Sequence, residues 1–337
     1  MNELRAQSVK EYLQSVNNLF IAHDFAPPIN FELKKAPPAL FYENVKIWQN
    51  EPNRRTHLTP EFLSELLLRA KKDKASTGLV AAMADFTILG RYTGIRLSEY
   101  GQSTQQTAAH HTMPSGRKIL KAFRRGDFVF KDKAGRTIAD PITNIDLVES
   151  IVITWRVQKN RRNGQKIAWN RDRLNPDLCP ILAALRIYSR SLRLGLTDDQ
   201  PMGAYLERGK VRYLTGSKIS ALFKDIAKFI YPNITKKDLS QFSAHMIRVS
   251  AAVLLQVADK PEHFIKMRLR WESDTYRLYL RNTSIIAMKH LEANVAATLL
   301  ESAYKLQDIG VTTPNVPAQV SIVEMGPYLV EGESNCI

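Results

Sequence analysis

The chain has 337 residues, 44% hydrophobic and 24% charged, which excludes a disordered polymer and allows one large core or two ordinary domains. A net charge of +15 at pH 7 argues for a polyanionic partner, nucleic acid first. Two distant cysteines, Cys179 and Cys336, without a CxxC partner exclude a disulfide framework or zinc ribbon, and neither a signal-peptide-like start nor a stretch of roughly 18 apolar residues is present, so an intracellular chain with no membrane span is expected.

Taken in order, Val9, Tyr12, Leu13, Val16, Leu19 and Phe20 recur at three- and four-residue spacing and predict an amphipathic helix. Ala26-Pro27-Pro28 is expected to end it, because proline lacks the N–H and restrains the residue before it. A short helix is expected over 40–48 and a linker over 51–55. In LTPEFLSELLLRA, Thr59 can cap, Pro60 suits the first helical position, and Glu61 faces the positive helix end. A further helix over 79–89 leads to a break at Thr93-Gly94 and a new helix start at Arg96-Leu97-Ser98-Glu99.

The middle of the chain changes character. RKILKAFRRGDFVFKDKAGR, residues 117–136, is strongly basic, with Lys118, Lys121, Arg124 and Arg125 as candidate DNA contacts. Phe128-Val129-Phe130 reads as a strand, the β-branched run SIVITWRV as a second, and Lys166 to Trp169 as a third, returning through an Asn163-Gly164 turn. The hairpin tip carries Lys159, Arg161, Arg162 and Lys166. Helices are then expected over 181–194, closed by Gly195, over 215–230, and over 285–306, followed by a flexible or docking tail from Thr312. The fold class read from this order is mainly α with a small antiparallel β-sheet, that is α+β.

The chemistry-bearing residues fall late. His245 and Arg248 lie three apart, one face of a helix, and both can reach one phosphate. Arginine meets two phosphate oxygens at once and keeps its charge, a tyrosine nucleophile would conserve the phosphodiester bond energy as phosphotyrosine, and lysine or histidine can move the protons. None of these residues is specific alone. Their joint occurrence and order is.

The boxes TGIRLSE, HMIR, Trp271 and YLRN, over residues 56–285, resemble the catalytic domain of the tyrosine recombinases, or phage-type integrases, in the Cre-like branch that carries tryptophan in its third box. That resemblance implies the recombinase catalytic-core fold, preceded by a short helical N-terminal segment. It implies Arg96 and Arg248 as the phosphate clamp, His245 beside it, Trp271 as an indole N–H donor, Glu99 as support for an arginine or the local loop, and Lys159 as general acid on the leaving 5′ oxygen with Lys166 in reserve. Tyr279, eight residues after Trp271, is the expected nucleophile, one short of the family's usual nine; Tyr276, five after, fits less well.

The division implied is a reduced core-binding-like region over 1–52, a catalytic domain over 53–284, and a C-terminal helix and tail over 285–337 that docks on a neighbouring subunit. The N-terminal region is shorter than such a domain usually is and not net basic. The expected activity is site-specific breaking and rejoining of double-stranded DNA by a synaptic tetramer, as in a mobile element, without metal, ATP or other cofactor. A type IB topoisomerase-like enzyme and a non-cutting DNA-binding protein of recombinase descent remain the alternatives.

Overall fold

A computed structural model describes residues 6–29, 56–73, 75–113, 115–158 and 162–272, all within one compact unit, Met1–Asp274. The expected helix and linker over 40–55, the hairpin-tip residues Lys159 and Arg161, both tyrosines Tyr276 and Tyr279, and the helix over 285–306 lie outside the described residues.

Helix α1, Ala6–Ala22, forms where the apolar spacing requires it. It stops before the prolines, because the chain turns at Asp24 (φ 59°) and the Phe25 N–H returns to the Phe20 carbonyl at 2.9 Å. Its stripe is largely open to solvent at Tyr12, Leu19 and Phe20. Helix α2, Pro60–Lys72, begins as its sequence dictates: Thr59 Oγ1 accepts the Phe62 N–H at 3.3 Å and Pro60 takes the first turn.

The centre of the unit is α3, Leu79–Thr93, buried on nearly every side. Helices α5 (Pro180–Arg193), α8 (Met246–Val257) and α2 pack around it. One charged residue of this helix sits inside: Asp85, 3% exposed, pairs with Arg186 and with the fully buried Arg190, whose Nε also donates to the Ser76 carbonyl at 2.8 Å.

The expected sheet is present. Strands β3 (Phe128–Lys131), β4 (Ser150–Trp155) and β5 (Gln165–Asn170) run antiparallel in that spatial order, with Ile153 opposite Phe128 and Ile167. Along β4 the side chains alternate, Ile151, Ile153 and Trp155 inward, as a half-covered strand demands. Two small hairpins were not expected from the sequence. Strands β1 (His110–Thr112) and β2 (Lys118–Leu120) form one, and β6 (Ala204–Glu207) and β7 (Lys210–Tyr213) form another, joined by Arg208-Gly209 with both φ positive. Just before β6 the chain lies so close to the short helix α4, Leu97–Tyr100, that a Cβ on Gly203 would come within 1.6 Å of the Tyr100 carbonyl oxygen. Helix α6 (Gly216–Ile230), capped by Thr215, and the short α7 (Lys236–Leu239) complete the chain up to α8, and α9 (Glu262–Leu269) follows. Mixed helices with small antiparallel sheets are the α+β class expected from the sequence.

Candidate functional site

The site begins at a broken helix. Gly94, in the left-handed conformation at φ 59°, ends α3 and frees the local carbonyls. Two residues on, Arg96 caps α4, and the pair closes on itself: the Arg96 N–H donates to Glu99 Oε2 at 2.8 Å, and Arg96 Nη1 donates to Glu99 Oε1 at 3.1 Å. The charge pattern RLSE therefore makes a turn in which a carboxylate holds the arginine.

Glu99 is 3% exposed and serves more than this one partner. Trp155, delivered by the end of β4, donates its indole N–H to Glu99 Oε2 at 3.3 Å. Arg270, delivered by the end of α9, places Nη2 3.1 Å from the same oxygen. Burial pushes the Glu99 carboxyl up, but Arg270 first, then Arg96 and the more remote Arg248, pull harder, so it lies below the ordinary carboxylate value.

Arg248 comes from the first turn of α8, whose N-cap is His245. The two are one turn apart, with the Arg248 N–H on the His245 carbonyl at 3.0 Å. The Arg248 side chain is buried; its Nη1 donates to the Gly94 carbonyl, and its guanidinium lies 4.1 Å over the ring of Trp271. Arg96, Glu99, Arg248 and Trp271, separated by up to 175 positions, are thus gathered around the Gly94 turn.

The basic residues expected on the DNA face are spread differently. Lys118 and Lys166 are exposed on β2 and β5, and Lys121 is half-buried just beyond β2. Arg124 caps a short turn closed by Asp127, while Arg125 is occupied by Asp198 and the Leu196 carbonyl. Arg162, beside the hairpin tip, lies 3.6 Å from Glu272. Among the described residues no group of His, Cys, Asp and Glu could hold a metal ion, and no helix is long and apolar enough to cross a membrane.

Sequence reasoning missed Arg270 and Trp155. Trp155 read as an ordinary strand residue, and its carboxylate partner lies 56 positions away. The only local signal at Arg270 was its place directly before Trp271.

The paired Glu99 makes a testable claim about acid stability. Its folded pKa lies below the ordinary 4.5, so the unfolded chain binds that proton more readily. Its contribution is fully present above 4.5 and fades as pH falls through and below that value. Urea denaturation at stepped pH is expected to show a steeper acid loss for the wild type than for Glu99→Gln; parallel profiles would refute it.

No protein-family model and no curated protein matches the chain. Among solved structures, the chain is similar to the XerH site-specific recombinase bound to its palindromic difH substrate, at 17% identity and a TM-score of 0.48 over 88% of this chain and 68% of that one. It is similar to the XerA recombinase, at 16% identity and 0.40 over 86% and 83%. It is also similar to the Tn1549 transposon integrase in complex with circular intermediate DNA, at 13% identity and 0.37 over 82% and 75%.

Proposed function

We propose that the protein is a site-specific DNA recombinase or integrase that cuts and rejoins double-stranded DNA through a 3′-phosphotyrosine. The observation that carries the reading is the gathering of Arg96, Arg248 and Trp271, from three distant segments, at one turn whose carboxylate, Glu99, is already compensated. A cluster of guanidiniums with a neutralised counter-charge is what a phosphodiester requires, since charge developing on its oxygens must be met by fixed donors.

In this mechanism the Tyr279 phenolate oxygen attacks the phosphorus and forms an O–P bond. The bond from phosphorus to the 5′ oxygen breaks, and Lys159 delivers the proton that makes the 5′ hydroxyl. His245 takes the phenol proton or holds the phosphate, Arg96 and Arg248 bind its oxygens, and Trp271 donates its indole N–H. Attack of a 5′ hydroxyl on the phosphotyrosine reverses the step, so the bond energy is retained and no ATP is consumed. Lys118, Lys121, Arg124, Arg125, Arg161, Arg162 and Lys166 contribute backbone contacts, with Lys166 able to replace Lys159 as acid. We assign 53–284 to catalysis, 1–52 to a reduced DNA clamp, and 285–337 to docking on the next subunit of a synaptic tetramer; a mobile element is the natural setting.

The test is incubation with nicked suicide duplexes bearing the ends of the DNA that flanks its gene. A covalent protein–DNA adduct at a defined position is expected. Sequence-independent relaxation of supercoiled plasmid by a monomer would replace this reading with a topoisomerase, and binding without any adduct would leave a non-cutting DNA-binding protein.

A further inference from the structure

Arg270 occupies a position that ordinarily disfavours it. It follows α9 with φ 59°, a left-handed conformation in which a Cβ crowds the backbone and glycine is at home. Its side chain is nevertheless fully enclosed. The guanidinium lies 3.9 Å over the Trp155 ring. Nη2 reaches Glu99 Oε2 at 3.1 Å, the Thr93 carbonyl at 3.3 Å and the Gly94 carbonyl at 3.4 Å, and Nη1 reaches Glu99 Oε1 at 3.5 Å. A buried guanidinium persists only when paired and bonded on several sides, which is the arrangement here. A strained backbone kept in place by a charge suggests that the charge is needed.

The need follows from Glu99. The groups facing it are Arg96 at the start of α4, Arg270 after α9, Arg248 on α8, and the Trp155 N–H from β4. If only Arg96 answered the carboxylate, the two would form a closed ion pair and Arg96 would offer an anion little net charge. With Arg270 present, three guanidiniums stand against one carboxylate, a net of two positive charges.

We propose that Arg270 is a positioning residue of the phosphate clamp, neutralising Glu99 so that Glu99 orients Arg96 without cancelling the charge Arg96 presents. The proposal rests on the phosphate-handling reading of the same site. It acts through Glu99 and requires no contact between Arg270 and DNA.

The experiment uses the full chain and two readouts: inorganic phosphate binding by calorimetry, and the rate of adduct formation on a suicide duplex. Arg270→Met is expected to weaken phosphate binding about tenfold and to slow adduct formation comparably, and adding Glu99→Gln is expected to restore both to within about threefold. Rescue by deleting a second buried partner is an outcome that mere loss of packing does not give. Arg270→Met should also gain a new acid-side recovery of phosphate binding, as the uncompensated Glu99 takes up a proton at higher pH than in the wild type, and Glu99→Gln should remove it. Unchanged phosphate affinity in Arg270→Met, an equal loss in the double variant, or no phosphate binding by the wild type would overturn the proposal. Should Arg270→Met not fold, the double variant Arg270→Met/Glu99→Gln serves, because it leaves no buried charge unpaired: its phosphate affinity should lie within about threefold of the wild type, and a tenfold loss would count against the proposal. Rescued phosphate binding in a protein that never forms an adduct would support the role of Arg270 while sinking the strand-cutting reading.

Discussion

Tyr279→Phe is expected to abolish the covalent protein–DNA adduct, with Tyr276→Phe retaining it to within about threefold of the wild type. Phenylalanine keeps the ring but lacks the oxygen that, on the proposed reading, forms the O–P bond, so the expected loss is of chemistry. An ordinary tyrosine has a pKa near 10 and is a weak nucleophile at neutral pH. On the proposed reading the clamp answers this, since cations held around the phosphate also favour the phenolate as it approaches. The choice between the tyrosines rests on sequence: Tyr279 lies eight residues after Trp271 and is followed by Leu-Arg-Asn, while Tyr276 lies only five after. The check is gel separation of adducts on nicked duplexes, with binding measured in parallel by mobility shift. An adduct that survives Tyr279→Phe and vanishes in Tyr276→Phe would move the nucleophile by three residues.

Asp85→Ala is expected to destabilise the domain by about 3–5 kcal/mol in urea denaturation, the cost of leaving one buried charge without its partner. Asp85 lies in the middle of α3, the helix around which α2, α5 and α8 assemble, and Arg190 beside it has no exposed surface. Removing the carboxylate strands that guanidinium in an apolar setting with the Ser76 carbonyl as its remaining described partner. Arg186, whose side chain is 40% exposed, can turn to water, so Arg186→Ala should cost no more than about 1 kcal/mol. Equal effects of the two substitutions would contradict this account. The pair is a fold device, remote from the Gly94 turn, and its variants should lower stability without changing the pH dependence of phosphate binding.

The contrast between Asp85 and Glu99 shows what a sequence can and cannot carry. The Arg96 to Glu99 relation is local, three residues apart on one turn, and was legible as a motif and as a helix start. So were the proline and threonine that open α2, the β-branched run of β4, and the helices that flank the sheet. The short hairpins β1–β2 and β6–β7 carry too few residues for alternation to stand out, and the stop of α1 was set by a turn at Asp24 and not by the prolines downstream. Asp85 and Arg190 were illegible because their pairing joins positions 105 apart. Arg270 was hidden twice, by a partner 171 positions away and by a backbone conformation its residue type does not advertise. A one-dimensional pattern shows which cations are present; it does not show which of them are already committed to a buried carboxylate.

That 171-residue separation also sets a schedule. At a synthesis rate of roughly 5–20 residues per second, Glu99 leaves the ribosome on the order of ten to thirty seconds before Arg270. Until then the N-terminal helices can gather, but the carboxylate at the Gly94 turn lacks its deepest partner. On the reading proposed above, a nascent or prematurely released chain therefore carries an uncompensated Glu99, and competence to grip a phosphate arrives only as the segment after α9 reaches it, which would tie reactivity toward DNA to completion of the domain.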